Sequence, residues 1–116
     1  MTNRTSTRYF SGEHEESVRK ELNALRVLNS GAGNFEKGDV VNKSASLLCE
    51  CKCSMSEKSS FSVKKEWIEK NKQEARMQRL SNTCVAFNFE PGGENYYIID
   101  SRLMKFLVEK LTEEES

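Results

Sequence analysis

The chain has 116 residues, 31% of them charged, and its 18 basic and 18 acidic side chains cancel to a net charge of zero. That length suits a single domain over 1–116, with a core just sufficient for a small sheet flanked by helices, a polar arm over 1–11 and an acidic tail over 112–116 expected to fray. No apolar run is long enough to span a membrane, and the polar start Met1-Thr2-Asn3-Arg4-Thr5-Ser6-Thr7-Arg8 lacks the apolar stretch of a secretory signal, so a cytoplasmic protein is expected.

After the polar arm, Val18, Leu22, Leu25 and Leu28 recur at spacings of three and four, which predicts an amphipathic helix over 13–28. A loop over 29–37 leads into two strands, one at Gly38-Asp39-Val40-Val41 and one over 46–53, joined by a turn at Asn42-Lys43-Ser44. Ser62 is placed to cap a helix reaching about residue 80. Its Val63, Trp67, Ile68 and Ala75 form an apolar face that Asn71, Glu74 and Gln78 interrupt. Strands over 83–90 and 95–100 flank a hairpin turn at Pro91-Gly92-Gly93-Glu94. A last helix carries Leu103, Phe106, Leu107 and Leu111 on one side, widened by Met104 and Val108. This order of elements predicts an α/β domain with a mixed central β-sheet.

The second strand is where chemistry is expected. Side chains alternate along a strand, so Glu50 and Lys52 project from one face roughly 6 to 7 Å apart, while Cys49, Cys51 and Cys53 project from the other. Asp39, on the strand before, completes an acid-acid-lysine set. Mg²⁺ prefers hard oxygen ligands and is usually held by one or two carboxylates together with substrate phosphate oxygens, which Asp39 and Glu50 can supply. Lys52 would orient the attacking water or stabilise charge developing on a phosphate, and the electrostatic role is preferred. A set of this kind suits metal-dependent phosphodiester hydrolysis, with Mn²⁺ as an alternative ion. The competing reading is a solvated strand face, where charged residues commonly alternate. The adjoining Leu47-Leu48 and the cysteines, which prefer burial, count against it.

Four cysteines raise the question of zinc. Zinc ligands are usually spaced C-x₂₋₄-C about a tight turn, whereas Cys49-x-Cys51-x-Cys53 lines thiols along one strand face, where they behave as small apolar groups. Disulfides are unexpected in a reducing compartment, and positions i and i+2 of a strand are poorly placed to bridge. Packing is therefore the expected role for these thiols and for Cys84. The zero net charge hides a local excess: 58–80 holds seven basic residues against three acidic ones, a local charge of +4. Lys64, Lys65 and Arg76 within it are candidate DNA contacts, and a solvated helix face with Glu66 four residues before Lys70 is the alternative.

Five stretches, in order, resemble the PD-(D/E)xK nuclease superfamily, and within it the small Holliday-junction-resolvase-like proteins of archaea and phages. They are Gly12-Glu13-His14-Glu15-Glu16, Ser30-Gly31-Ala32-Gly33, Lys37-Gly38-Asp39-Val40, Cys49-Glu50-Cys51-Lys52 and Ser60-Phe61-Ser62-Val63-Lys64-Lys65-Glu66-Trp67. Gly38 stands where the family name has proline. The resemblance implies a restriction-endonuclease-like core and a further acid from the first helix. Glu15 is preferred for that acid, since Val18 and Leu22 follow it at core-facing spacing, and Glu16 is the alternative. It also implies that Ser30 lies near the scissile phosphate, with ordinary turn chemistry as the competing reading. The implied protein is a homodimer that cuts branched DNA in a prokaryotic or phage-infected cell. A catalytically silent DNA-binding or interaction module, and a zinc-structured interaction domain, stay open as rivals.

Overall fold

In the computed structural model, which describes residues 7–26 and 39–115, the first helix, α1 (Thr7–Glu21), both begins and ends earlier than the predicted 13–28. The reason lies at Asn23, which adopts the left-handed conformation at φ 53°, a region that asparagine tolerates better than most residues. The backbone there closes with Ala24 N–H donating to Arg19 O at 2.9 Å. Val18 and Leu22 keep their predicted place against the core. Leu25 leaves the helix for a two-residue strand, β1 (Leu25–Arg26), where it is 69% exposed. Leu28 and the 29–37 loop, with Ser30, lie outside the described residues.

Beyond β1 come β2 (Asp39–Asn42), β3 (Leu47–Lys52), α2 (Lys65–Met77), β4 (Asn82–Phe87), β5 (Tyr96–Ile98) and α3 (Ser101–Glu115). The five strands form one mixed sheet in the order β1-β2-β3-β4-β5, antiparallel throughout except for the parallel pair β3–β4. A parallel pair requires a crossover, and α2 supplies it. The β2–β3 turn has Ser46 at φ 54°, where Ser46 Oγ accepts from Ser81 N–H at 2.7 Å and Ser46 O from Asn82 N–H at 2.8 Å. The start of β4 is thereby fixed beside the start of β3. Before β5, Gly93 N–H closes a turn onto Glu90 O at 3.0 Å, with Pro91 second and Gly92 third at φ 75°, the arrangement a type II turn demands.

Each sheet face buries its own apolar set. Val40, Cys49, Cys84 and Ala86 pack beneath Val18 of α1, joined by Ala24. On the other face Val41 and Leu48 pack with Ala75 of α2 and Leu80. The cysteine-bearing face expected from alternation is thus the α1 face. The Cys49 thiol is fully buried, and hydrogen bonding with the Cys51 and Cys84 thiols, followed by burial, pushes its pKa up.

Three helix expectations need correction. The N-cap of α2 is Lys64, with no side-chain cap, rather than Ser62. Asp100, read as the end of a strand, caps α3: its Oδ1 accepts from Leu103 N–H at 2.9 Å, and its other oxygen pairs with Lys72 at 2.8 Å. Asn71, read as an interruption of the apolar face of α2, is 1% exposed and points into the sheet. Its Nδ2 donates to Cys84 O at 3.0 Å and Leu48 O at 3.4 Å, which ties α2 to both strands of the parallel pair.

Buried hydrogen bonds of this kind cost about 1–3 kcal/mol when one partner is removed. Asn71→Ala should therefore lower the unfolding free energy by that amount in urea titrations, while Glu69→Ala on the exposed side of α2 should change it by less than about 0.5 kcal/mol. His14 supplies a pH test. It is buried on α1 with Nε2 3.3 Å from Ala86 O, and burial lowers its pKa below the ordinary 6.5. The unfolded chain then takes up a proton before the folded one. His14-linked stability is complete above the unfolded value and is lost as the pH falls below it toward the depressed folded value. Urea midpoints should decline between about pH 7 and pH 5 and should flatten in His14→Gln. Asp100, held below its ordinary 3.8 chiefly by Lys72, makes its contribution at more acidic pH.

Candidate functional site

Asp39 and Glu50 are direct cross-strand partners in the β2–β3 ladder. Residues directly opposite in an antiparallel pair share a face, so both carboxylates lie on the α2 side of the sheet. Asp39 is 3% exposed, and the Glu50 side chain 13%. Two residues along the same strand and face, Lys52 places Nζ 2.8 Å from Glu50 Oε2. The expected side-by-side arrangement of Glu50 and Lys52 is present as a direct ion pair.

The helix crossing this face contributes a residue that sequence reasoning assigned only to packing. Trp67, in the first turn of α2, lies beneath the Lys52 ammonium, which is 4.7 Å from its ring centroid. A cation over an indole face gains from the ring quadrupole, so Lys52 is held from two directions. The spacing from Lys52 to Trp67 carries no local signal, since the contact depends on how α2 returns over the sheet. Phe61 continues the aromatic surface, 6.1 Å from Trp67 and 4.8 Å from Phe87, and Phe87 is the ladder partner of Lys52. Phe89 and Tyr96 extend it toward β5. None of the five rings is fully buried. Past Lys52 the strand end is anchored by Ser54, whose N–H donates to Asn88 Oδ1 at 2.8 Å and whose Oγ donates to Asn88 O at 2.9 Å, both buried.

The remaining candidates are dispersed. Glu15 stands on α1, which packs on the opposite sheet face, and its Oε1 accepts from Arg26 Nη2 at 3.0 Å. Glu16 is bound bidentately by Arg19 at 2.7 and 3.0 Å, with Arg26 also 3.8 Å away. The Arg19 hydrogen bond lowers its pKa. Neither acid joins the Asp39–Glu50 pair among the described residues, and Arg26 was not singled out from the sequence as their partner. Lys64 and Lys65 lie at the start of α2, near Trp67. Arg76 stands in its last turn, roughly 16 Å along the axis from Lys65. All three are exposed, and Lys65 makes a loose 3.7 Å pair with Glu69. An open trough of about 770 Å³ runs along α1 from Tyr9 to Glu21, and neither Asp39 nor Glu50 lines it.

No group of three or more His, Cys, Asp or Glu side chains is placed to hold a metal ion among the described residues. The donor set nonetheless fits Mg²⁺, which commonly takes only one or two carboxylates and completes its octahedron with water and phosphate oxygens. Asp39 and Glu50 are the residues that would hold it. Among the described residues, no helix is long and apolar enough to cross a membrane. Comparison with protein-family models, with curated proteins and with solved structures returns no match to this chain.

Trp67 offers a direct readout of the local geometry. Removing the ammonium from its ring face in Lys52→Met should change Trp67 emission intensity or wavelength, while Lys65→Met, two residues before Trp67 on the exposed side of α2, should leave the spectrum unchanged.

Proposed function

We propose that the chain is a Mg²⁺-dependent endodeoxyribonuclease of the PD-(D/E)xK type, with a restriction-endonuclease-like core. We further propose that it acts as a homodimer on branched DNA such as Holliday junctions. The observation that carries the reading is the ladder register that sets Asp39 opposite Glu50, with Lys52 paired to Glu50 on the same face. Two acids with a lysine two residues beyond the second are the set that phosphodiester hydrolysis by this class requires.

The chain's own groups have separable tasks in this proposal. Asp39 and Glu50 supply hard oxygen donors from a firmly paired stretch of sheet, so their spacing is set by backbone geometry rather than by side-chain flexibility. A divalent cation bound there would supply Lewis-acid neutralisation of the phosphate. Lys52 presents a positive charge beside the reacting phosphate, where it favours the more negative transition state. Trp67 and Glu50 limit the positions that ammonium can take. Lys64 and Lys65, at the same end of α2, would hold the flanking phosphates, a contact that fixes position without reading sequence.

Labelled four-way junction, flap, linear duplex and single-stranded DNA should be incubated with Mg²⁺, Mn²⁺ or EDTA. Cleavage should appear with either metal and vanish in EDTA. Asp39→Ala, Glu50→Ala and Lys52→Ala should each lower the rate by about a hundredfold or more while circular dichroism shows each variant still folded at the assay temperature. Binding with no cleavage in either metal would overturn the enzyme reading in favour of a silent DNA-binding module.

A further inference from the structure

Among the described residues, no element packs along the apolar side of helix α3 beyond its first turn. Leu103 at its start is half-buried, but Met104, Phe106, Leu107, Val108 and Leu111 are 42–65% exposed. Asp100 and Arg102 fix its first turn, Arg102 Nη2 donating to Ser81 O at 2.7 Å and Asn82 Oδ1 at 2.9 Å. The exposed side chains amount to on the order of 400–500 Å² of apolar surface on one helix, the size of the largest patch on an ordinary monomer, which is often functional.

The charges on α3 point to its partner. A lone helix is stabilised by acid at its N-terminus and base at its C-terminus. Beyond the Asp100 cap the order is reversed: Arg102 and Lys105 lie near the start and Glu113 and Glu114 near the end, with no acid in the first turn after the cap and no base in the last. Arg102, Phe106, Lys110 and Glu113 succeed one another at intervals of four, four and three, and so line one flank of the apolar stripe. Laid against an identical flank running the other way, that series is complementary to itself. Arg102 meets Glu113 through the guanidinium nitrogens that Ser81 and Asn82 do not hold, Phe106 meets Lys110, and each unfavourably charged end lies beside the opposite end of its neighbour. Lys110 already lies over Phe106 at 5.5 Å and pairs loosely with Glu113 at 3.5 Å within one copy, so the same partners are available across two.

We infer that α3 is a self-association surface, which pairs antiparallel with α3 of a second copy of this chain about a two-fold axis. Such a contact is isologous, each patch meeting its own copy, and removes at most about 800–1,000 Å² in total, which is the size of a weak, reversible interface. The inference gives a surface to the homodimer proposed above, but it rests on α3 alone and does not depend on catalysis by the Asp39–Glu50 pair.

Sedimentation velocity of the full chain, without DNA or metal, tests it independently of any nuclease assay. The wild type should sediment as a dimer at about 100 µM, and Leu107→Glu should be monomeric. Arg102→Glu and Glu113→Arg should each weaken self-association by roughly tenfold or more, because each sets like charges opposite one another, whereas an equimolar mixture of the two should restore a dimer. Circular dichroism of each variant separates loss of pairing from loss of folding, and the charge-swap mixture decides the matter if Leu107→Glu fails to fold. A wild type that stays monomeric, or a mixture no tighter than its separate components, would overturn the inference and leave α3 to a partner of different chemistry.

Discussion

Strand β3 is paired on both sides, antiparallel to β2 and parallel to β4, and its pleat divides the protein into two working surfaces. Leu48, Glu50 and Lys52 face α2, whereas Cys49 and Cys51 face α1. A slip of one residue in either ladder would turn the carboxylate and the ammonium into the α1 core and send the thiols toward α2. The small apolar groups beneath α1 and the charged end beneath Trp67 therefore hold each other in place. The position of Glu50 opposite Asp39 follows from the same register that buries Leu48 opposite Val41.

Polar groups inside the molecule enforce that register. Asn71 reaches the carbonyls of both β3 and β4, and Ser54 with Asn88 locks the two strands beyond the last ladder pair. At the other end, exposed bonds of Ser46 and Asn82 join the two strands as well. An apolar contact tolerates sliding, but a buried hydrogen bond lost to sliding leaves an unsatisfied group. These few bonds make the parallel pair specific, since hydrophobic burial by itself is indifferent to a shift along the strand.

Helix α3 contrasts with this arrangement. Its first turn is tied down through Asp100, to Lys72 on α2 and to its own backbone, but the apolar stripe beyond faces away from both cores. A reversed charge order on a helix with an uncovered apolar side is costly in isolation and favourable in an antiparallel pair, which is the basis for assigning that surface to a second copy.

The sequence by itself determined the α/β class, the strand identity of Asp39 and of Glu50-Cys51-Lys52, and the division of that strand into a charged face and a thiol face. Each of these depends on local propensity and a two-residue period, which neighbours in sequence fix. It did not determine where the first helix stops, because the leucine spacing continues past Asn23 and only the adopted left-handed backbone there ends it. Nor did it place Glu15 and Glu16, which meet Arg26 and Arg19, or Trp67, which meets Lys52. The Glu15–Arg26 and Lys52–Trp67 contacts join elements brought together by the β1 turn and by the α2 crossover, and no periodicity in the chain encodes their approach. Asn71 reads as a flaw in an amphipathic pattern and proves to be a clamp, since a polar side chain on an apolar face becomes legible only when the carbonyls it meets are in position. The apolar stripe of α3 was legible from spacing alone, but that it stays uncovered among the described residues was decided by the tertiary structure, because only the placed neighbours show which helix faces are buried.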